Sequence, residues 1–261
     1  MNQLELRSKP ATTLSRPEMT THFEISEAKP ADAEAIASLF ALSWVSPFSR
    51  LQFGQIDEVE LAASMMPRIA EQMVKVSSRF IVARNRETGE VAAVAQWTVP
   101  VDAGSNVVNE ETKEDRDERQ QFEDEAYRRS LPESCNKGLV MAFTMGLRKL
   151  REETLQGREH FLLENLATHP DFRGKGLASQ LIKWMFSFAD AQQVLVYLET
   201  ASDNPAAQLY KKLGFMERGQ NTIEDLSRYA PMEIIAQLGC DSEHTHIAFV
   251  RFPRNTNNLS S

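Results

Sequence analysis

The stretch "THPDFRGKGLAS", residues 168–179, lies between two apolar runs, "FLLENLA" before it and "LASQLIKWMFSFA" after it. The first run reads as a strand. The second has helical spacing. A Pro-containing turn, an arginine and two closely spaced glycines therefore separate a strand end from a helix start. Glycines at such a place let something approach the backbone closely. The P-loop pattern G-x-x-x-x-G-K-[ST] is not supplied by "GKGLAS". A dinucleotide fingerprint is missed by one residue. In that fingerprint the tight turn sits at the strand end, whereas here "THPDFR" intervenes, and Glu199 at the end of the next strand precedes only a short helix. The remaining reading takes Arg173, Gly174, Lys175, Gly176 and Ala178 together as R-x-x-G-x-A. Backbone N–H groups at a helix start converge there, the helix dipole favours an anion, and two cations are added. The ligand implied is a pyrophosphate.

The rest of the chain has a mixed α/β pattern. "HFEISEAKP" (22–30) alternates and reads as a strand. Residues 30–45 have helical spacing, with Ala33, Ile36, Leu39, Phe40 and Ser43 on one stripe. "VSPFSRLQFGQ" breaks that helix. Residues 57–78 resume one, with a kink expected at Pro67. Residues 79–100 read as a hairpin about Gly89. A helix over 138–155, a strand in "EHFLLENLATHP", a helix from "GKGLAS" and a strand in "QVLVYLETAS" follow. The short helix "NPAAQLYKKLGF" has Asn204 as N-cap, Pro205 at its first position and Gly214 at its stop. "FMERGQNTIEDLS" and "HTHIAFVRFP" are two more strands. The fold class is α/β, a mixed central β-sheet with flanking helices.

Domain organisation is expected to be a tail over 1–21, one domain over 22–253 and a C-terminal tail over 254–261. A charged insert spans about 102–135, where residues 110–129 hold nine acidic and five basic side chains, a density that opposes burial. It reads as a solvated segment, helical in part, that neither binds the pyrophosphate ligand nor belongs to the core.

Composition narrows the function classes. The 261 residues carry a formal net charge of −8 and are 42% apolar. A general nucleic-acid binder needs a basic face, which this balance argues against. No run is apolar for the ~18 residues that a membrane span requires, and "MNQLELRSKPATTLSRPEMTTH" lacks a signal peptide's apolar core. Cys135 and Cys240 form no disulfide framework and no zinc spacing. They read as thiols of a reducing compartment, here the cytoplasm.

"LATHPDFRGKGLASQLIKW" resembles the acetyl-CoA motif of the GNAT N-acetyltransferase superfamily, [RQ]-x-x-G-x-[GA] after its fourth strand. "VYLETASDNPAAQLYKKLGFMERG" is similar to the same family's fifth strand, Asn-containing helix start, helical Tyr and "GF" turn. Together the two motifs cover residues 159–219. The Thr-His-Pro wording and the acidic insert look like the GNAT relatives of fungi. The resemblance implies an acyl-CoA N-acyltransferase fold and an acetyl-CoA-dependent N-acetyltransferase. Its acceptor would be a small amine that attacks the thioester directly in a ternary complex, and the protein a monomer or homodimer. A coenzyme A-binding protein without turnover, or an enzyme acting on a protein lysine or N-terminus, are the alternatives.

The resemblance also implies roles. The fourth and fifth strands splay, and the backbone of Leu166, Ala167 and Thr168 pairs with the pantetheine amides. Backbone N–H groups from Arg173 through Gly174, Lys175, Gly176, Leu177 and Ala178 to Ser179 hold the pyrophosphate. Asn204 adds a side-chain contact to coenzyme A besides its capping role. Tyr210 sits near the acetyl sulfur as proton donor, or else is a packed core residue. An alkyl amine of pKa ~10.4 needs roughly 4–5 kcal/mol to reach its nucleophilic form at pH 7, so a carboxylate should take its proton. Glu164 is a conspicuous charge in "FLLENLA", and strand alternation puts it on the face of Leu166 and Thr168. Glu199 is its rival. Each also reads as a rim carboxylate. His169 belongs to the Thr-His-Pro turn. Trp44, Phe48, Arg50 and Phe53 fall where the family builds its acceptor wall.

Overall fold

The computed structural model describes residues 22–54, 57–100 and 112–254. The tail over 1–21, residues 101–111 of the insert and residues 255–261 lie outside the described residues. The described strands are β1 (Phe23–Glu27), β2 (Ser78–Asn85), β3 (Val91–Thr98), β4 (His160–Thr168), β5 (Leu195–Ala201), β6 (Met216–Ile223) and β7 (His244–Arg251). They form one sheet in the order β1-β2-β3-β4-β5-β7-β6. Every neighbouring pair is antiparallel except β4 with β5. That parallel pair is joined by the crossover helix α6 (Leu177–Gln192), as parallel strands require.

The other described helices are α1 (Ala33–Ser43), α2 (Pro47–Phe53), α3 (Glu58–Met73), α4 (Lys113–Ser130), α5 (Lys137–Leu155), α7 (Ala206–Lys212) and α8 (Met232–Leu238). On α6, Leu177, Leu181, Ile182, Met185 and Ala189 are buried. They recur at helical spacing and pack on Ala83, Ala93, Trp97, Leu163 and Leu198 of the sheet. Each large apolar side chain so buried contributes about 1.5–3 kcal/mol. The opposite face is covered by α1 and α3, through Ile36, Phe40 and Ile69 against Val82 and Val94. It is also covered by α5, through Leu150 and Leu155 against Leu162 and Tyr197.

Several expectations need correction. Residues 47–53 form a helix instead of a simple break. Ser46 caps it by accepting from the Ser49 N–H, and Pro47 fills its first turn. Residues 232–238, assigned to no element, are also helical. The helix at 206–212 starts one residue later than expected. Asn204 Oδ1 still accepts from the Ala206 N–H at 2.9 Å. Pro67 lies inside α3, which runs through it. The described part of the charged insert is mostly the helix α4, largely exposed. It is docked by Asp124, which takes both Arg148 terminal nitrogens at 2.8 and 2.6 Å, and by Tyr127 under the Arg68 guanidinium.

Candidate active site

Strands β4 and β5 pair only from His160↔Leu195 to Leu163↔Leu198. Beyond that point β4 stays on β3, up to Ala93↔Thr168, and β5 stays on β7, up to Ala201↔His246. The two strands therefore part. The edge of residues 164–168 that faces β5 has no strand partner, so Leu166, Ala167 and Thr168 present unpaired backbone groups to the gap. Buried or half-buried peptide groups of this kind need a partner, and an extended amide chain supplies one.

At the end of β4, His169 accepts from the Asp171 N–H through Nδ1 at 3.3 Å and so shapes the Pro170–Phe172 turn. Gly174 and Gly176 have φ of +75° and +74°, and a Cβ on either would meet nothing within 4 Å. The turn thus needs glycine for its backbone and leaves open space beside it. Helix α6 starts with no side-chain cap and no acidic residue in its first turn. The N–H groups of Leu177, Ala178 and Ser179 belong to that first turn, where no carbonyl of the helix reaches them. Arg173 is exposed and reaches back to the Thr168 carbonyl. The Lys175 Nζ lies 5.0 Å over the Phe172 ring and 5.7 Å over that of Phe23. An uncapped electropositive helix start with two cations and an open cradle fits a pyrophosphate.

Glu164 is an extra residue in β4. Gln96 faces Asn165 and Trp97 faces Leu163, which leaves Glu164 without a cross-strand partner. This bulge changes the strand's parity. Leu163 and Leu166 both enter the α6 core, while Glu164 and Asn165 both bond the Gln96 side chain on the other face. Plain alternation, which put Glu164 on the face of Leu166, is overturned here. The carboxylate is exposed. It accepts from Gln96 Nε2 at 2.8 Å and from the Thr98 hydroxyl.

Glu199 is the first unpaired residue on the other side of the gap. Its side chain is only 6% exposed and bonds Arg151 of α5, from Nε at 3.1 Å and from a terminal nitrogen at 3.2 Å. Burial raises its pKa above the usual carboxylate value, Arg151 opposes that shift, and the charge of Glu164 adds to it.

Tyr210 packs in the α6-side core between Phe215 and Phe249, and its hydroxyl bonds no described residue. Burial pushes its pKa up to about 12. Asn204 donates to Thr200 Oγ1 at 2.9 Å besides capping Ala206. Both ends of its amide are thus engaged, and one N–H is left for a further contact.

A cavity of about 750 Å³ is lined by Trp44, Arg50 and Phe53, with Asp57, Glu58 and Val59 at the start of α3. Trp44 and Phe53 stack at 5.3 Å with 12° between their planes. Phe48, assigned to this wall from the sequence, stacks instead on His244 at 3.5 Å. His244 and His246 share the inward face of β7, their rings 4.9 Å apart. Burial lowers both pKa values, that of His246 to about 3. Their inward placement follows from the alternation of "HTHIAFV", a signal passed over in the sequence. Gln96, a lone amide in "VAAVAQWTV", is another.

A parallel strand pair that splays beside a glycine-opened, uncapped helix start defines the acyl-CoA N-acyltransferase fold. The sequence profile of the GNAT acetyltransferase domain matches residues 136–217. No curated protein matches the chain. Arylalkylamine N-acetyltransferase 2 from Aedes aegypti superposes with a TM-score of 0.60 at 11% identity, over 90% of this chain and 100% of that one. An agmatine N-acetyltransferase variant in apo form gives 0.56 at 12%, over 88% and 99%. A Corynebacterium glutamicum protein described as histone acetyltransferase HPA2 and related acetyltransferase gives 0.51 at 21%, over 90% and 98%. At these identities the likeness establishes the fold. Residues 136–217 match the GNAT acetyltransferase domain family, and the chain as a whole shares the fold of these acetyltransferases.

Proposed function

We propose that the protein transfers an acetyl group from acetyl-CoA to a primary amine of a small molecule, by direct attack in a ternary complex. The observation that carries this reading is the open β5-facing edge of Leu166–Thr168 running straight into the uncapped start of α6. One continuous path thus offers peptide groups for pantetheine and N–H groups for pyrophosphate. The cavity of about 750 Å³ supports a small acceptor, since small-molecule sites fall at roughly 300–1,000 Å³. Its paired aromatic planes and its acidic Asp57 and Glu58 suit an amine with a flat apolar body. Two structural neighbours are an arylalkylamine and an agmatine N-acetyltransferase, which agrees with that class.

In this reading Glu164 takes the proton that the ammonium must lose. The freed nitrogen lone pair forms the N–C bond as the C–S bond breaks, and the second proton that the nitrogen then loses passes to the departing thiolate, directly or through solvent. Tyr210 serves the departing sulfur from the opposite face of the sheet. With its pKa at about 12, full transfer to a thiolate of pKa ~8.5 is uphill by roughly 5 kcal/mol. Tyr210 therefore acts by donating a hydrogen bond. Glu199, held by Arg151, is the structural carboxylate of the pair. The charged helix α4 lies outside this machinery.

Thiol release from acetyl-CoA across a panel of amines and peptides tests the reaction, with calorimetry for the coenzyme. Gly176→Glu is expected to weaken acetyl-CoA binding at least ~10-fold, by placing a carboxylate where the pyrophosphate sits. Gly176→Ala carries the same backbone strain of about 1–2 kcal/mol without the charge and is the control. Equal binding by wild type and a folded Gly176→Glu would refute the pyrophosphate assignment. Bound coenzyme with no turnover on any acceptor would make this a binding protein.

A further inference from the structure

Gln96 is 2% exposed in the middle of β3, between residues that feed two apolar cores. Burying an amide there is costly unless all its hydrogen-bonding groups find partners. They do. Its Nε2 donates to Glu164 Oε2 at 2.8 Å and to Gln72 Oε1 at 3.1 Å. Its Oε1 accepts from Asn165 Nδ2 at 2.9 Å. An ionised carboxylate only accepts, so the NH₂ end of Gln96 must face Glu164 and the direction of every bond in the chain is set. Thr98 supplies a donor to the second carboxylate oxygen. The bulge that costs β4 a ladder position occurs at the residue gripped in this way.

We infer that Gln96 is a positioning residue. With Thr98 it fixes both oxygens of Glu164 at the apex of the splay, and through Gln72 it ties that carboxylate to the last turn of α3. The inference rests on Glu164 being the proton acceptor. A fixed carboxylate keeps its remaining lone pairs toward the gap, whereas a free one on an exposed strand residue would spread over several rotamers. Misplacement of about 1 Å at such a group can cost ~100-fold in rate. The nearby ionisable groups are Glu199 on β5 and Arg151 on α5. They bond each other, and neither hydrogen-bonds Glu164.

The test is a double-mutant cycle on the full chain. It measures kcat with acetyl-CoA and the best acceptor among 2-phenylethylamine, tryptamine, agmatine and spermidine. Acetyl-CoA affinity is followed by calorimetry. Glu164→Gln is expected to lower kcat about 100-fold or more and Gln96→Leu about 10-fold. The coenzyme affinity should be unchanged in both. The double variant should be no slower than Glu164→Gln alone, because a positioning residue has nothing left to position. Losses that multiply in the double variant, or a Gln96→Leu enzyme as fast as wild type, overturn the inference and leave the proton-acceptor reading intact. A Glu164→Gln enzyme at full speed overturns that reading itself, as does silence of the wild type across the panel. Thr98→Val removes the second donor without altering the core. It should give a fall of roughly 3- to 10-fold that also vanishes in the Glu164→Gln background, and it carries the test if Gln96→Leu does not fold.

Discussion

Glu164 and Glu199 are the first residues beyond the last β4–β5 pair, one on each strand and on the same face of the sheet. In an unbroken parallel sheet they would be neighbours and would repel. The structure separates their fates. Glu199 is buried and gripped by a guanidinium. Glu164 is exposed and held by neutral donors that leave its charge uncompensated. A buried carboxylate bonded twice to a guanidinium is a good strut. One held by an amide and a hydroxyl has a fixed direction and no cation bonded to it. In the proposed reaction the β4 side of the gap carries the chemistry, and the β5 side carries structure.

The sharpest way to break this contrast is to neutralise each carboxylate in turn. Glu164→Gln should lower kcat roughly 100- to 1,000-fold with little change in thermal unfolding. Glu199→Gln should instead cost about 2–3 kcal/mol by leaving Arg151 without its counter-charge, seen as a fall of roughly 5–10 °C in Tm. Exchanged outcomes would assign the base to Glu199.

The structural side extends to His246, which pairs with Ala201, two residues past Glu199 on the same face. Its folded pKa of about 3 lies below the 6.5 of the exposed ring, so the unfolded chain binds its proton first. The stability from neutral His246 is thus fully present above pH 6.5 and is lost as pH falls toward 3. Between pH 6.5 and 5 that loss amounts to about 2 kcal/mol. Denaturant unfolding of His246→Phe over this range should be less acid-sensitive than wild type by about that amount. Parallel curves would place His246 outside this linkage.

The smallest effect belongs to Tyr210, on the far face. Tyr210→Phe should lower turnover about 10-fold, because only a hydrogen bond to a good leaving group is lost. Stopped-flow measurement under conditions where chemistry limits the rate will read it. An unchanged rate would leave Tyr210 as packing between Phe215 and Phe249.

The glycine turn proposed for the coenzyme was legible in the sequence because its geometry is local. Arg173, Gly174 and Gly176 act through turn geometry and a helix start, both written in a dozen consecutive residues. Glu164 stood out as a charge in an apolar run, but its direction did not, since a bulge is a property of two strands in register. Gln96 meets Glu164 across 68 residues and Gln72 across 24, which no local pattern records. The helices α2 and α8 have seven residues each. At that length tertiary packing decides helicity, and propensity says little. Phe48 shows the same limit, since its helix was missed and with it the turn toward His244.

The parting of β4 and β5 bears on how this chain behaves in a crowd. Unpaired strand edges recruit other chains, and proteins blunt their outer edges for that reason. Here the bare edge of residues 164–168 lies inside the sheet, in a wedge that closes at Leu163 and Leu198. Neighbouring strands stand about 4.8 Å apart, so a foreign strand would need roughly twice that width along its length, plus room for side chains above and below. The wedge offers this nowhere near its apex. A thin, unbranched chain needs less width than a polypeptide strand, so the geometry proposed to take an amide chain closes this inner edge to strand addition.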